Sequence, residues 1–351
     1  MTKKALITGI TGQDGAYLAK FLKGKGYEVF GTFRRTSTPN FWRLKYLDIL
    51  DKVELIPMDL TDLSSIIEAI NYCHPDEIYQ LAAQSFVGRS FEEPISTSEI
   101  TGLGTVRMLE AARILRCDAK IYQASTSELY GNDSTKFKNE KSTFTPESPY
   151  AASKLYSYWI SEIYKKGYGM FVANGILFNH ESPIRGLEFV TRKITNSVAR
   201  IKLGLQDKIY LGNLKAVRDW GFAGDYVEAM WLMLQQDNPE SFVISTGIGH
   251  SVEDLLEVAF NQAGLQSKEF IAINPGLRRV IDVDYLVGDN SKAYSILGWK
   301  PKTSFEELIK HMYLEDLRRW SEQLAGKEVV WDAPLYNDKL KIASVRYSVK
   351  V

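Results

Sequence analysis

Leu6-Ile7-Thr8-Gly9-Ile10-Thr11-Gly12-Gln13-Asp14-Gly15 is the stretch on which the reading of this 351-residue chain turns. An apolar run enters a turn with glycine at every third position, and helix-period spacing follows over residues 16–25. Strand before and helix after are the context that lifts a glycine pattern above chance. Without Cβ atoms the backbone turns tightly and can approach a pyrophosphate, whose charge the helix N-terminus favours. Gly9, Thr11, Gly12, Gln13, Asp14 and Gly15 are therefore the expected dinucleotide cradle.

Outward from that turn, short β-branched runs alternate with helical segments. Strands are expected at 4–8, 28–32, 53–58, 77–81, 120–124 and 171–175, and helices at 16–25, 63–72 and 104–116. This is the pattern of an α/β fold with a doubly wound parallel sheet, Rossmann-type. After Ile176 prolines and glycines punctuate shorter elements, the texture of a smaller α/β substrate-binding lobe. The expected division is 1–176 for the dinucleotide, with returns to the main sheet near 221–246, then 177–325 for substrate and 326–351 as an arm or tail. Ser304 and Glu307 fit a capping box ahead of an amphipathic helix within 301–324.

The second strand runs into Arg34-Arg35, where an NAD site would carry an acidic residue for the ribose 2′-hydroxyl. A guanidinium pair instead matches a 2′-phosphate, which makes NADP the expected cofactor. Asp59 and Leu60 after the third strand suit an adenine contact, and Leu81, Ala82 and Ala83 after the fourth offer small side chains beside the cofactor.

Tyr150 and Lys154 stand four residues apart, on one face of a helix. A phenol with a pKa of about 10 is a poor base at neutral pH, and a neighbouring ammonium together with an oxidised nicotinamide is expected to lower it. Thr126 follows the strand at 120–124, so its hydroxyl is expected at the carboxyl edge of the sheet, where ligands of such folds bind. Oxidation of an alcohol needs only these three. Glu128 is additional: a carboxylate beside a new ketone can remove the acidified proton on the adjacent carbon and protonate a leaving hydroxyl.

Composition removes other classes of function. The 43 basic and 43 acidic residues cancel, so no global field points to nucleic acid or a membrane. Cys73 and Cys117 have neither metal-ligand nor redox spacing, no metal is expected, and both thiols are expected to be buried. The apolar run at 5–10 is too short for a secretory signal and is broken by Gln13-Asp14, which points to the cytoplasm.

These residues resemble the GDP-mannose 4,6-dehydratases of the extended short-chain dehydrogenase/reductase superfamily. The likeness runs to about residue 324 through the opening motif and through Tyr122-Gln123-Ala124-Ser125-Thr126-Ser127-Glu128-Leu129-Tyr130-Gly131, Gly175-Ile176-Leu177-Phe178-Asn179-His180-Glu181-Ser182-Pro183, Phe189-Val190-Thr191-Arg192-Lys193 and Arg218-Asp219-Trp220-Gly221. The resemblance implies loss of water from a GDP-sugar with no net redox change. Thr126, Glu128, Tyr150 and Lys154 would be catalytic, and Asn179, Lys193, Arg218 and Arg279 would lie along the nucleotide sugar. Ser85 would stand near the sugar pocket and Asp282 at the nucleotide ribose.

The resemblance also implies a homo-oligomer, a dimer or a tetramer, with the Arg34-Arg35 region near a neighbouring subunit. The chain departs from the family at Arg278-Arg279-Val280-Ile281-Asp282, where Phe-Arg-Pro-Ala-Glu is usual, and at Arg89, which could donate to an extra sugar hydroxyl or pair with Glu92 or Glu93. GDP-manno-heptose is thus the alternative substrate to GDP-mannose. A nucleotide-sugar epimerase or reductase, which needs no Glu128, and a non-catalytic NADP-binding protein, which needs neither Tyr150 nor Lys154, are the competing functions.

Overall fold

A computed structural model describes residues 2–277 and 280–332. In chain order it contains β1 (Lys4–Thr8), α1 (Gln13–Gly24), β2 (Glu28–Phe33), α2 (Trp42–Tyr46), β3 (Glu54–Pro57), α3 (Leu63–Cys73) and β4 (Glu77–Gln80). Two short helices, α4 (Val87–Ser90) and α5 (Pro94–Thr97), then lead into α6 (Gly104–Ile114), β5 (Lys120–Thr126), α7 (Pro149–Tyr168) and β6 (Val172–Leu177). The remainder holds β7 (Asn179–Glu181), α8 (Val190–Lys202), β8 (Ile209–Leu211), β9 (Val217–Arg218), β10 (Trp220–Phe222), α9 (Ala223–Leu234) and β11 (Phe242–Ile244). It closes with β12 (His250–Ser251), α10 (Val252–Ala263), β13 (Ile271–Ile273), β14 (Tyr285–Leu286) and α11 (Phe305–Leu324).

Seven strands form one parallel sheet in the order β11-β6-β5-β4-β1-β2-β3. Its two faces are written in alternate residues. Leu6, Ile78, Ile121 and Val172 pack with α3 and α6 through Ile66, Ile70, Met108 and Leu109. Ala5, Ile7, Tyr79, Tyr122 and Ala173 point the other way, against α1 and α9 through Leu18, Leu22, Met230 and Met233. Because both faces are covered, apolar residues occupy both alternations of these strands, with Glu77, Gln80, Gln123 and Asn174 buried among them. The chain leaves β1 toward β2 and β3, then returns to β4 and builds outward through β5 and β6, so the order reverses between β1 and β4. Ligands of open α/β sheets bind in the crevice at such a reversal.

The fold is the expected doubly wound sheet. β5 runs to Thr126, two residues beyond expectation, because Ser125 and Thr126 pair with Ile176 and Leu177 of β6. Residues 223–234 and 242–244 return to the main sheet as α9 and β11.

A second core gathers α8, α10 and α11 around Ile194, Leu255, Phe260, Leu308 and Met312. Ser304 and Glu307 form the capping box of α11, with reciprocal bonds of 3.2 and 3.0 Å. Small two- and three-stranded sheets made from β7 to β10 and β12 to β14 complete this part of the molecule. Cys73 is buried as expected; Cys117 is half-buried, at the mouth of a crevice lined by Asn71, His74 and Arg116.

Candidate active site

The glycine turn has the shape its sequence demands. Gly9 has φ +70°, and a Cβ there would lie 3.0 Å from the Ala82 backbone. At Gly15 a Cβ would meet the Gly9 carbonyl at 2.5 Å, which no side chain tolerates. Gly12 is the N-cap of α1 and has no side chain to satisfy the first N–H groups of the helix. Thr8 Oγ1 accepts from the N–H of both Leu81 and Ala82 at 3.0 Å and donates to Gln80 Oε1 at 2.8 Å, which fixes the β1 and β4 exits together. Ala83 follows them, half-buried.

Gln13 and Asp14 are held by protein partners. Gln13 Nε2 donates to His180 O at 3.0 Å while its Oε1 accepts from Ser182 Oγ at 2.7 Å. Asp14 pairs with His180 Nε2 at 2.8 Å. Burial acts to raise the Asp14 carboxyl, yet His180, together with Arg185 and Gln13, holds it down at about 2. The side chains of these two residues thus clamp the turn to the segment after β6, and their part in a cradle is left to backbone N–H groups.

Arg34 and Arg35 stand exposed directly after β2. Asp59 Oδ1 accepts from the N–H and hydroxyl of Thr61 at 2.9 and 2.8 Å. The Leu60 side chain is buried against α6, and its carbonyl accepts from Arg107 Nη1 at 3.3 Å.

The expected catalytic residues meet at the carboxyl end of β5. Thr126 caps a single 3-10 turn over Ser127–Tyr130, its Oγ1 accepting from Glu128 N at 3.3 Å, and this turn fixes the path of the Glu128 backbone. Ser148 caps α7 with a 3.0 Å bond from Ala151 N, and Pro149 opens the helix, so Tyr150 lies in its first turn. Lys154, one turn on, donates to Ala124 O at 2.7 Å. All four side chains are buried.

Burial pushes the Tyr150 phenol well above its ordinary value; the Thr126 hydroxyl opposes the rise, the Glu128 carboxylate adds to it and Arg185 opposes it. Burial also draws Lys154 down to about 8. The Lys154 Nζ lies 6.0 Å from the Tyr150 ring centroid and donates to a backbone carbonyl, and Arg185 adds a second positive charge to the surroundings of the phenol. Sequence reasoning missed Arg185 because a lone arginine in a turn carries no spacing signal; its position in the quoted 175–183 motif's continuation was the available hint.

The residues expected along the nucleotide sugar come partly together. Arg218, buried in β9, lies 3.8 Å from Asp282, which also accepts from Asn213 Nδ2 at 3.0 Å. Asn179 is half-buried at the start of β7, and among the described residues its buried Oδ1 has no hydrogen-bond partner. Lys193 Nζ donates to Tyr210 O at 2.8 Å, and Ser85 is exposed. Arg279 lies outside the described residues. Arg89 is exposed and bonded to Glu93 at 2.6 and 3.0 Å, with Glu92 at 3.5 Å, the surface pairing that the sequence offered beside a sugar contact.

A Rossmann-type sheet with Tyr150, Lys154 and Thr126 at its carboxyl edge defines a short-chain dehydrogenase/reductase of the extended, sugar-modifying kind. Over 89% of this chain and 98% of the other, the fold matches the UDP-glucose 4-epimerase of Thermus thermophilus, solved in complex with NAD, at TM-score 0.79 and 26% identity. The dTDP-glucose 4,6-dehydratase DesIV of Streptomyces venezuelae shares the fold at TM-score 0.79 over 93% of this chain and 99% of that chain, with 23% identity. Residues 6–312 match the family described as GDP-mannose 4,6 dehydratase. GDP-mannose 4,6 dehydratase 2 of Arabidopsis thaliana is 51% identical over 93% of this chain and 89% of its own, and the human GDP-mannose 4,6 dehydratase 47% over 89% and 91%. The chain belongs to the GDP-mannose 4,6-dehydratase family.

Proposed function

We propose that this protein is an NADP-dependent hydro-lyase that converts GDP-mannose to GDP-4-keto-6-deoxymannose. The observation that carries the reading is Glu128, held by the Thr126-capped turn between the sheet edge and Tyr150. Epimerases and keto-sugar reductases have no use for that carboxylate, and a binding protein has none for the tyrosine. The glycine turn that a Cβ would fill and the two exposed guanidiniums after β2 fit NADP. When bound, NADP supplies the hydride acceptor for C4 and returns the same hydride at C6.

Tyr150 takes the proton of the sugar 4-hydroxyl, and Thr126 hydrogen-bonds the 4-oxygen as it becomes a ketone. The ketone acidifies the C5–H bond. Glu128 removes that proton and delivers one to the C6 hydroxyl, so that the C6–O bond breaks and water leaves, with a C5–C6 double bond conjugated to the ketone. A proton returned to C5 completes the 4-keto-6-deoxy sugar, and the redox balance is zero. Lys154 orients this edge through its bond to Ala124 O.

Asn179, Lys193, Arg218, Asp282, Ser85 and Arg279 serve the nucleotide sugar in this reading, Arg218 and Arg279 at the diphosphate. Residues 1–176 with 221–246 form the NADP lobe and 177–325 the nucleotide-sugar lobe. The protein works as a homo-oligomer: α7 exposes Tyr156, Trp159 and Ile163 at helical spacing, an apolar stripe suited to a second copy. Among the described residues no helix is long and apolar enough to cross a membrane, and the two unpaired cysteines accord with the cytoplasm. Arg89, turned to Glu93, does not favour the heptose.

Incubation with GDP-mannose and no added reductant should yield a nucleotide sugar lighter by one water and bearing a ketone. Recovery of unchanged or epimerised sugar would replace the reading. Replacing Arg34 and Arg35 together by Ala should weaken NADP binding far more than NAD binding in a titration of each. Equal effects on both dinucleotides would remove these arginines from the 2′-phosphate.

A further inference from the structure

We infer that Arg43 is a positioning residue of the dinucleotide site, a role that rests on reading the glycine turn as that site. Three consecutive backbone carbonyls, of Pro183, Ile184 and Arg185, each accept from a guanidinium belonging to a different helix. Arg319 of α11 donates to Pro183 O at 2.6 Å, Arg43 of α2 to Ile184 O at 2.8 Å and Arg192 of α8 to Arg185 O at 2.8 Å. Arg43 is the one of the three that also reaches the glycine turn, through Nη1 and Thr11 O at 3.3 Å. Its guanidinium is half-buried, with Cζ 4.6 Å from the Trp42 ring centroid.

One planar fork thus joins three segments that reach the same crevice. These are the turn over residues 9–12, the connection from Arg34 and Arg35 into α2, and the stretch 183–185 that follows β7. Backbone carbonyls are acceptors any donor can satisfy, but a guanidinium presents donors on different nitrogens of one rigid plane, here Nε and Nη1, which an ammonium does not. Neither carbonyl belongs to a recognition group for the 2′-phosphate. Arg43 therefore governs the shape of the site common to NADP and NAD, and leaves discrimination between them to other groups.

The test uses the full-length protein without sugar, titrating NADP and NAD against intrinsic fluorescence for wild type, Arg43→Met and Arg43→Lys. Arg43→Met should raise both dissociation constants by the same factor, on the order of tenfold, the equivalent of about 1.4 kcal/mol. Arg43→Lys, whose single ammonium cannot span both carbonyls, should raise both in parallel by less, and it decides the matter if the methionine variant does not fold. Weakening of NADP alone would make Arg43 a direct phosphate ligand and overturn the proposal. So would unchanged affinities with only a lowered Tm. Failure to dehydrate GDP-mannose leaves these titrations unaffected, whereas a wild-type chain that binds neither dinucleotide overturns the reading of the turn and this role with it.

Discussion

Glu128→Gln is expected to lower turnover of GDP-mannose by about 10² to 10⁴-fold, the range of a positioned general acid–base group. The amide keeps the size of the side chain and removes the base. Thr126 continues to cap the turn through the Glu128 backbone N–H, so the geometry at the sheet edge is retained. Incubation in deuterated water separates the steps: wild type should incorporate solvent deuterium at C5, and the variant should not. Near-normal turnover or C5 exchange in Glu128→Gln would assign the proton transfer to another group. Tyr150→Phe should stop the earlier step, because the 4-hydroxyl then has no base.

The largest effect on stability is expected far from the sugar, at Asp316. This carboxylate is wholly buried in α11, bidentate to Arg192 Nε at 2.7 and 3.0 Å, with Thr195 Oγ1 at 2.8 Å and Arg319 at 3.5 Å. Asp316→Asn keeps the shape and leaves two guanidiniums buried without their shared anion. Removing one partner of a buried ion pair costs about 3–5 kcal/mol, a large share of the roughly 5–15 kcal/mol that holds a domain folded. Urea unfolding should show a matching fall in midpoint with little change in slope. A loss below about 1 kcal/mol would mean that water or a rearranged partner reaches the pair.

The two outcomes bear on what the sequence reveals. β1, β2, β4 and β5 were legible because each is a run of apolar residues ending in turn chemistry, and the Tyr150–Lys154 spacing was legible because α7 is long and capped by Ser148-Pro149. The pieces missed are those whose cause is tertiary. β7, β9, β10, β12 and β14 are two or three residues long and exist by pairing with distant segments, as Val217 does with Ser251 and Tyr285. Gln13 and Asp14 were legible as part of the glycine turn, but the partners of their side chains, His180 and Ser182, were not, being 166 or more residues away. For Arg89 the sequence offered either a sugar donor or a surface pair, and Glu93, one helical turn on, takes it. Lys154 bonds a carbonyl 30 residues earlier in the chain, a partner that no local spacing announces.

The outermost position of β11 in the parallel sheet bears on how the molecule is made. β6 is buried along its whole length, and its far edge is covered only by Phe242–Ile244. On the ribosome, residues 178–244 follow β6 roughly 3–13 s later at about 5–20 residues per second. Through that interval the nascent chain carries a glycine turn, most of a sheet and one bare apolar edge, the kind of edge that recruits strands from other molecules. The first 177 residues thus hold six of the seven strands in layout but are not a finished unit in biosynthesis: the emerging half needs shelter until the later half delivers its last strand.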